Sequence, residues 1–173
     1  MKLSRNRGLY FEEWIDQSNA VYETKGLALI KKIPTPWQVQ RKYSPYKKTY
    51  EIAFAYPKQK STVDFGGTAK KFSIWFDAKV TKLKLSFPLK NIHAHQVDYL
   101  KQVQKHGGKA FFLIHAEVPA KTWLLWVDQL LEFMDKAERK SIPFDWFESH
   151  CEEVKSAQGV VLDYLPIVLR REG

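Results

Sequence analysis

The chain has 173 residues, with 28 Lys+Arg against 19 Asp+Glu and a formal net charge of +9. Its 45% hydrophobic and 14% aromatic content excludes a mainly disordered protein, and its length predicts one domain over residues 1–173. A single cysteine excludes an internal disulfide. No apolar run approaches the roughly 18 residues of a membrane helix, and the polar start lacks a signal segment, so we expect a cytoplasmic protein with no membrane partner.

Positive charge is concentrated in residues 25–110, which hold 18 Lys+Arg and 4 Asp+Glu, whereas the other residues hold 10 and 15. Two of the four acids in the basic segment are Asp64 and Asp77. A positive field around a small acidic focus is typical of a protein that binds a polyanion through its phosphates and cuts it at a metal. The alternative is an ordinary basic, solvated surface.

Apolar spacing predicts a helix over residues 5–24, which Gly26 ends. We predict a buried strand over residues 27–33. Pro34 and Pro36 follow it and cannot continue a central strand. Residues 40–60 interleave basic and aromatic side chains with little apolar alternation. This segment either protrudes and offers ammonium groups to phosphates and tyrosine rings to unstacked bases, or it is a long loop anchored by tyrosines.

Two antiparallel strands are predicted from Ser61 to Lys79, with glycines and then charged residues between them, as in a reversing chain. A reversal centred on residues 70–71 would put Asp64 opposite Asp77 and Thr62 opposite Lys79. Alternate side chains of a strand share a face, so these four would project together.

Two carboxylates and a lysine on one sheet face are costly to bury without a counterion. Magnesium prefers one or two carboxylates, with water and substrate phosphate as its other ligands. A neighbouring ammonium group can stabilise the negative charge that develops in a transition state. The pattern therefore indicates a metal site for phosphodiester hydrolysis, and a hairpin with solvent-exposed acids is the alternative.

The rest of the chain continues an α/β order. We predict a helix from Asn91 to about residue 106, strands over 109–118 and 121–127, helices over 128–140 and 144–156, and a final strand or tail over 159–169. His93 and Gln96 are three residues apart and share a helix face. His93 and His95 do not, which argues against a zinc site.

Several runs in this order resemble RecU, the family of Holliday-junction resolvases of Gram-positive bacteria and their phages, within the PD-(D/E)xK nuclease superfamily. The runs, between about residues 6 and 116, are NRG at 6–8, SN at 18–19, KKIPTP at 31–36, QKSTVD at 59–64, FDAK at 76–79 and SFPLKNIHAHQ at 86–96. The resemblance implies an α/β, restriction-endonuclease-like core with a mixed central sheet flanked by helices. It also implies a protruding stalk over about residues 40–60 and an acidic, helical C-terminal part over 128–173.

The resemblance implies a magnesium-dependent homodimer that makes paired nicks in four-way DNA junctions, with manganese as a substitute metal. The metal ligands carried over are Thr62, Asp64, Asp77 and Gln96, and the transition-state lysine is Lys79. Glu12 matches the acidic position of the first core helix. Whether host recombination proteins bind the acidic C-terminal region stays open.

Phosphate contacts are expected from basic residues of the first helix, the stalk and the segment after Lys79. They are Arg7, Arg41, Lys42, Lys47, Lys48, Lys82, Lys84 and Lys90. Phosphate contacts position DNA without reading its sequence, so selectivity should come mainly from the shape of the junction.

One residue departs from the family pattern, because the family usually has glutamate where this chain has Asp77. The shorter carboxylate retracts by one methylene from a metal. We expect activity to survive, but the substitution leaves open a junction-binding or strand-annealing protein with a weakened nuclease. A third hypothesis is a relative that cuts linear duplex at a sequence, which the stalk-like segment disfavours.

Overall fold

The computed structural model describes residues 6–57 and 62–171, without the side chains of Asn6, Arg7, Trp37 and Pro57. The helices are α1 (Asn6–Thr24), α2 (Ala94–Lys105), α3 (Val127–Lys136), α4 (Phe144–His150) and α5 (Leu165–Arg170). The strands are β1 (Leu29–Lys32), β2 (Trp37–Ser44), β3 (Thr49–Pro57), β4 (Phe65–Ala69), β5 (Phe72–Thr81), β6 (Ser86–Pro88), β7 (Lys109–Ala116), β8 (Lys121–Trp126), β9 (Ser141–Pro143) and β10 (Glu152–Glu153). None of these helices is long and apolar enough to cross a membrane.

A six-stranded sheet in the order β1-β4-β5-β7-β8-β10 forms the centre of the fold. Strands β5 and β7 run parallel, with helix α2 between them in the chain, and the other neighbouring pairs run antiparallel. The predicted α/β class with a mixed central sheet is confirmed. Two further two-stranded sheets pair β2 with β3 and β6 with β9.

Apolar side chains pack on both faces of the central sheet. One cluster joins α1 and α5 to the sheet through residues such as Phe11, Phe76 and Val168. The other joins α2, α3 and α4 to the opposite face through residues such as Leu100 and Phe147. Helices therefore flank the sheet on both sides, as predicted, and each face of a central strand is covered.

Strand β5 lies between the two clusters, and its successive side chains point to one cluster and the other in turn. Phe76 and its neighbours two residues away face the α1 side, whereas Trp75 faces the α2 side. Because side chains alternate along a strand, Asp77 and Lys79 share the α2 face with Trp75. The packing of Phe76, whose ring stacks on Phe65 and Phe111, thus fixes the direction in which the neighbouring charges point.

The β4–β5 hairpin reverses where the sequence predicts, since Thr68 pairs with Ser73 and Lys70 has a φ of 52°. The glycines are not part of the reversal. They lie inside β4, where a Cβ on Gly67 would come 2.0 Å from the Leu29 backbone oxygen. The glycine at that position therefore allows β1 to approach closely, and it is not the turn residue that the sequence predicts.

The predicted strand from Ser61 is shorter than expected, because β4 begins at Phe65 and Ser61 lies outside the described residues. Residues 62–64 bend instead. Val63 enters the core on the α2 side, whereas Phe65 enters it on the α1 side, so the chain cannot keep a regular strand between them. Thr62 consequently lies before the paired residues and is exposed.

The segment predicted as a stalk forms a hairpin of β2 and β3 that pairs apart from the central sheet. Except for half-buried Ser44, every residue from 38 to 56 is exposed. An irregular register at Gln40 and Arg41 inserts one extra residue in β3, which explains why the sequence shows little apolar alternation. The long-loop alternative is wrong for these residues, and residues 58–60 lie outside the description.

Other boundaries differ from the predicted ones for local reasons. Strand β1 is an edge strand in which Ile30 alone is buried, not a buried strand. A short 3₁₀ turn over Leu89–Asn91 delays the start of α2, whose N-cap is His93. Helix α4 stops at His150 because the next residues pair with β8, and the C-terminal segment ends in helix α5.

Candidate active site

Asp77 is the centre of the site and is completely buried at 0% exposure. The Gln96 Nε2 group, from α2, donates a hydrogen bond of 2.5 Å to Asp77 Oδ1. Lys79 Nζ lies 2.5 Å from Asp77 Oδ2 and forms an ion pair with it, and Oδ2 accepts no hydrogen bond from any other described residue. A buried carboxylate oxygen in this condition is a good candidate for a cation ligand.

Asp64, the residue that precedes β4, lies close to Asp77. Its Oδ2 accepts a hydrogen bond of 3.0 Å from the backbone N–H of Ala78, which holds the carboxylate against β5. Burial raises the pKa of Asp77 to about 7, with the negative charge of Asp64 acting in the same direction and Lys79 opposing it. Two carboxylates that resist joint ionisation gain from a divalent cation between them.

Thr62 and Gln96, the other predicted ligands, take different positions. Thr62 borders an open groove of about 470 Å³ that is also lined by His95 and Tyr99. The Oε1 atom of Gln96 accepts the backbone N–H of His93 at 3.3 Å, while its amide nitrogen holds Asp77. Gln96 therefore positions a carboxylate in this structure, whereas Thr62 borders the groove two residues before Asp64.

Glu12 lies on α1 and forms an ion pair with Lys32 of β1. The pKa of Lys32 is raised mainly by its hydrogen bond to Glu12, with Asp16 and Asp64 adding in the same direction. Glu12 is thus linked to the Asp64 carboxylate through the field of Lys32, and no contact with Asp77 is present in the described residues. The sequence identifies Lys32 only as part of a motif, because nothing in its spacing indicates an acidic partner.

The residues present fit a magnesium ion through the chemistry of their donors. Asp64 and Asp77 supply carboxylate oxygens, and Asp77 Oδ2 is buried without a hydrogen bond. In residues 6–57 and 62–171, no group of three or more His, Cys, Asp or Glu side chains is arranged to hold a metal. A pair of carboxylates suits magnesium, which takes water and phosphate as its other ligands, better than a metal that requires a full set of protein ligands.

The predicted phosphate-binding residues lie at the surface wherever they are described. The exposed ones on the hairpin and after β5 are Arg41, Lys42, Lys47, Lys48, Lys82, Lys84 and Lys90. Lys47 also pairs with Glu51 at 2.7 Å across exposed positions. The side chain of Arg7 lies outside the description. These cations lie in two segments of the chain, the β2–β3 hairpin and residues 82–90.

A mixed sheet with an acid at the end of one strand and D-A-K in the next is the core of a restriction-endonuclease-like nuclease. The chain matches the family RecU, Recombination protein U, over residues 6–170. It belongs to this family.

Relatives named "Holliday junction resolvase RecU" extend over most of the chain. The protein of Streptococcus sanguinis (strain SK36) is 38% identical over 165 residues, which cover 94% of this chain and 82% of that protein. The Shouchella clausii (strain KSM-K16) protein is 41% identical over 160 residues, covering 92% and 77%. A solved structure of Archaeoglobus fulgidus Hjc, a Holliday junction resolvase, shares 14% identity and a TM-score of 0.46 over 85% of this chain and 91% of that chain.

Proposed function

We propose that this chain is a Holliday junction resolvase that makes paired, metal-dependent nicks in four-way DNA junctions. The observation that carries the proposal is the buried Asp77, which Gln96 holds and Lys79 contacts on the strand next to Asp64. The family membership over residues 6–170 supports the substrate class. The activity belongs to recombination and repair.

Asp64 and Asp77 would hold magnesium or manganese, with Thr62 nearby in the chain and Gln96 fixing the Asp77 carboxylate. Magnesium, when bound, supplies Lewis-acid polarisation of the phosphate and lowers the pKa of water. Lys79 has a side chain that is 15% exposed, so its ammonium can reach substrate from a mostly buried position. It would neutralise the negative charge that develops on the phosphate as the bond to the leaving oxygen breaks.

Glu12 and Lys32 would set the electrostatic environment on the other side of Asp64. Glu12 holds the Lys32 ammonium on the side of β1 where it also feels the negative charge of Asp64. The exposed lysines and Arg41 would bind phosphates along the arms of the junction. The β2–β3 hairpin would enter the junction and offer its aromatic side chains to unpaired bases.

The paired cuts require two active sites, which a homodimer with a two-fold axis provides on a junction of the same approximate symmetry. The acidic C-terminal part, residues 128–173, is the candidate surface for recombination proteins, because its charge does not favour DNA.

The first experiment compares cleavage of a mobile four-way junction with cleavage of linear duplex of the same sequence, in Mg²⁺, in Mn²⁺ and in EDTA. We expect paired nicks in the junction, in either metal, and none in EDTA. Cutting of the linear duplex at a defined sequence would contradict the junction selectivity. Analytical ultracentrifugation of the free protein tests the dimer.

A second candidate function is a junction-binding or strand-annealing protein with a weakened nuclease. It is favoured by the short side chain of Asp77, which is fully buried where the family usually has glutamate. Tight junction binding without cutting in any of these metals would establish it. Replacing Asp77 with glutamate would then be expected to restore cleavage.

A further inference from the structure

Two leucines lie exposed just beyond the catalytic strand, in the segment Lys82–Leu85, which we call the leucine loop. Leu83 is 51% exposed and Leu85 is 82% exposed. They alternate with the exposed side chains of Lys82 and Lys84. Large apolar side chains that are this exposed are candidates for a binding role.

The leucine loop is fixed at both ends. The buried Thr81 accepts the Leu83 N–H on its Oγ1 at 3.2 Å, and its backbone oxygen accepts the N–H of Glu117 at 3.0 Å. At the other end, the Leu85 oxygen accepts the N–H of Phe144 at 3.0 Å. The leucines are therefore presented to solvent by an anchored backbone.

The loop lies close to the proposed point of cleavage. Leu83 is four residues after Lys79, so their Cα atoms are at most about 14 Å apart. This span equals roughly four base steps of about 3.4 Å. A side chain at Leu83 can consequently reach bases within a few steps of the phosphate that Lys79 contacts.

The charges around the leucines favour nucleic acid over a second protein surface. Residues 79–90 contain four lysines, Lys79, Lys82, Lys84 and Lys90, and no acidic residue. Two copies of this loop would repel each other, whereas a phosphate backbone would attract both. Lysines between leucines suit a surface that binds phosphates while apolar groups reach the bases.

We propose that Leu83 and Leu85 form an apolar wedge that contacts base faces at the branch point and favours a junction over linear duplex. The inference rests on the proposed resolvase function. Apolar wedges that enter an intact duplex must first unstack a base step. At a branch point the continuous stack is already interrupted, so the same contact costs less there.

The test uses a synthetic mobile four-way junction with 2-aminopurine beside the branch point, and a linear duplex with the same label, in EDTA to prevent cutting. The wild type is compared with Leu83→Ser/Leu85→Ser, with the conservative Leu83→Met/Leu85→Met, and with Leu27→Ser. Leu27 is a matched control because it is 50% exposed and precedes β1, at the sheet end where the β4–β5 hairpin reverses.

We expect the wild type, the methionine variant and the Leu27 control to raise 2-aminopurine fluorescence on the junction. The double serine variant should lose this signal and bind the junction about tenfold more weakly, as expected for lost base contacts. Its affinity for linear duplex and the salt dependence of binding should not change, because no phosphate contact is lost. Leu85→Ser alone, the change at the more exposed position, provides the test if the double variant does not fold.

Unchanged fluorescence and unchanged junction preference in the serine variant would overturn the wedge. The wedge would also be overturned if the free variant had an altered sedimentation coefficient and lost affinity equally for the junction and for linear duplex. That result would identify a protein interface instead. Failure of the resolvase function is distinguished by the wild type, which would then show no preference for the junction in EDTA and, in a separate reaction with Mg²⁺, no cutting of the junction.

Discussion

The β4–β5 and β2–β3 hairpins place side chains in opposite ways. The β4–β5 hairpin buries charge, with Asp77 at 0% exposure between two core clusters. The β2–β3 hairpin exposes apolar rings, with Phe54 at 60% and Tyr46 at 95% exposure. Both arrangements oppose the usual separation of polar and apolar residues.

The difference indicates what each hairpin does. Burying a carboxylate lowers stability unless something compensates it, so the first hairpin is arranged for a cation and a reaction. Exposing aromatic side chains contributes little to stability, so the second hairpin is arranged to bind an external partner. Substitutions in the first hairpin should therefore change chemistry and stability, and those in the second should change binding alone.

The largest effect is expected at Lys79. Lys79→Ala and Asp77→Ala should each reduce the initial rate of junction cleavage by about 10³-fold or more, because the charge that develops on the phosphate is no longer compensated. Junction binding, measured by gel shift, should remain. Lys71→Ala is the matched control, an exposed lysine in the turn of the same hairpin. Vigorous cleavage by either alanine variant would remove the mechanism.

The second effect concerns stability and pH. Because the pKa of Asp77 is raised to about 7, the folded chain keeps a proton that the unfolded chain loses near pH 4. The contribution of Asp77 to the free energy of unfolding therefore falls as pH rises from about 4 to about 7. Asp77→Asn should remove this loss and raise the free energy of unfolding at pH 8 by about 2 to 4 kcal/mol.

Urea unfolding in EDTA at pH 4 and pH 8 measures this effect. The gain should disappear at pH 4, where the wild-type carboxyl is protonated in both states. Asp98→Asn, a change to an exposed acid on α2, is the control and should show no such gain. An Asn variant no more stable than wild type at pH 8 would show that the burial of Asp77 is not costly.

A smaller effect is expected at Gln96, which positions Asp77. Gln96→Ala should slow cleavage by roughly 10- to 100-fold, the usual result of removing a partner that orients a metal-binding carboxylate. Higher magnesium concentration should recover part of the rate. If the rate stays at the wild-type level, the hydrogen bond between Gln96 and Asp77 has no positioning role.

The smallest effect on stability is expected from substitutions in the β2–β3 hairpin. Tyr46→Ala/Phe54→Ala should reduce junction affinity by about tenfold through lost base stacking. The free energy of unfolding should change by less than about 0.5 kcal/mol, since these side chains are exposed. Met134→Ala, a change to a half-exposed residue of α3, should alter neither. A large loss of stability would show that the hairpin rings pack in the fold.

The sequence predicts the β4–β5 hairpin well because its information is local. A turn at residues 70–71 and a period of two are sufficient to bring Asp64 beside Asp77. Long-range packing is not available from one sequence. The glycine at position 67 looks like a turn residue until the Leu29 backbone is known to press against it.

The remaining differences have the same origin. Residues 62–64 bend because Val63 and Phe65 pack in two different hydrophobic clusters, and no local pattern in the sequence indicates this. Lys32 acquires its partner from a helix twenty residues away in the chain, and its own spacing gives no signal for Glu12. The β2–β3 hairpin is missed as a strand pair because its register irregularity breaks the apolar alternation.

Gln96 joins the start of α2 to the catalytic strand, since one side chain bonds both the His93 backbone and Asp77. Fraying of the first helical turn would release the carboxylate, so the two should open as one cooperative unit. Hydrogen exchange at the amides of that turn would then slow when a cation binds Asp77. The exchange rate at the beginning of α2 would thereby show whether a cation is bound to a buried carboxylate on a neighbouring strand.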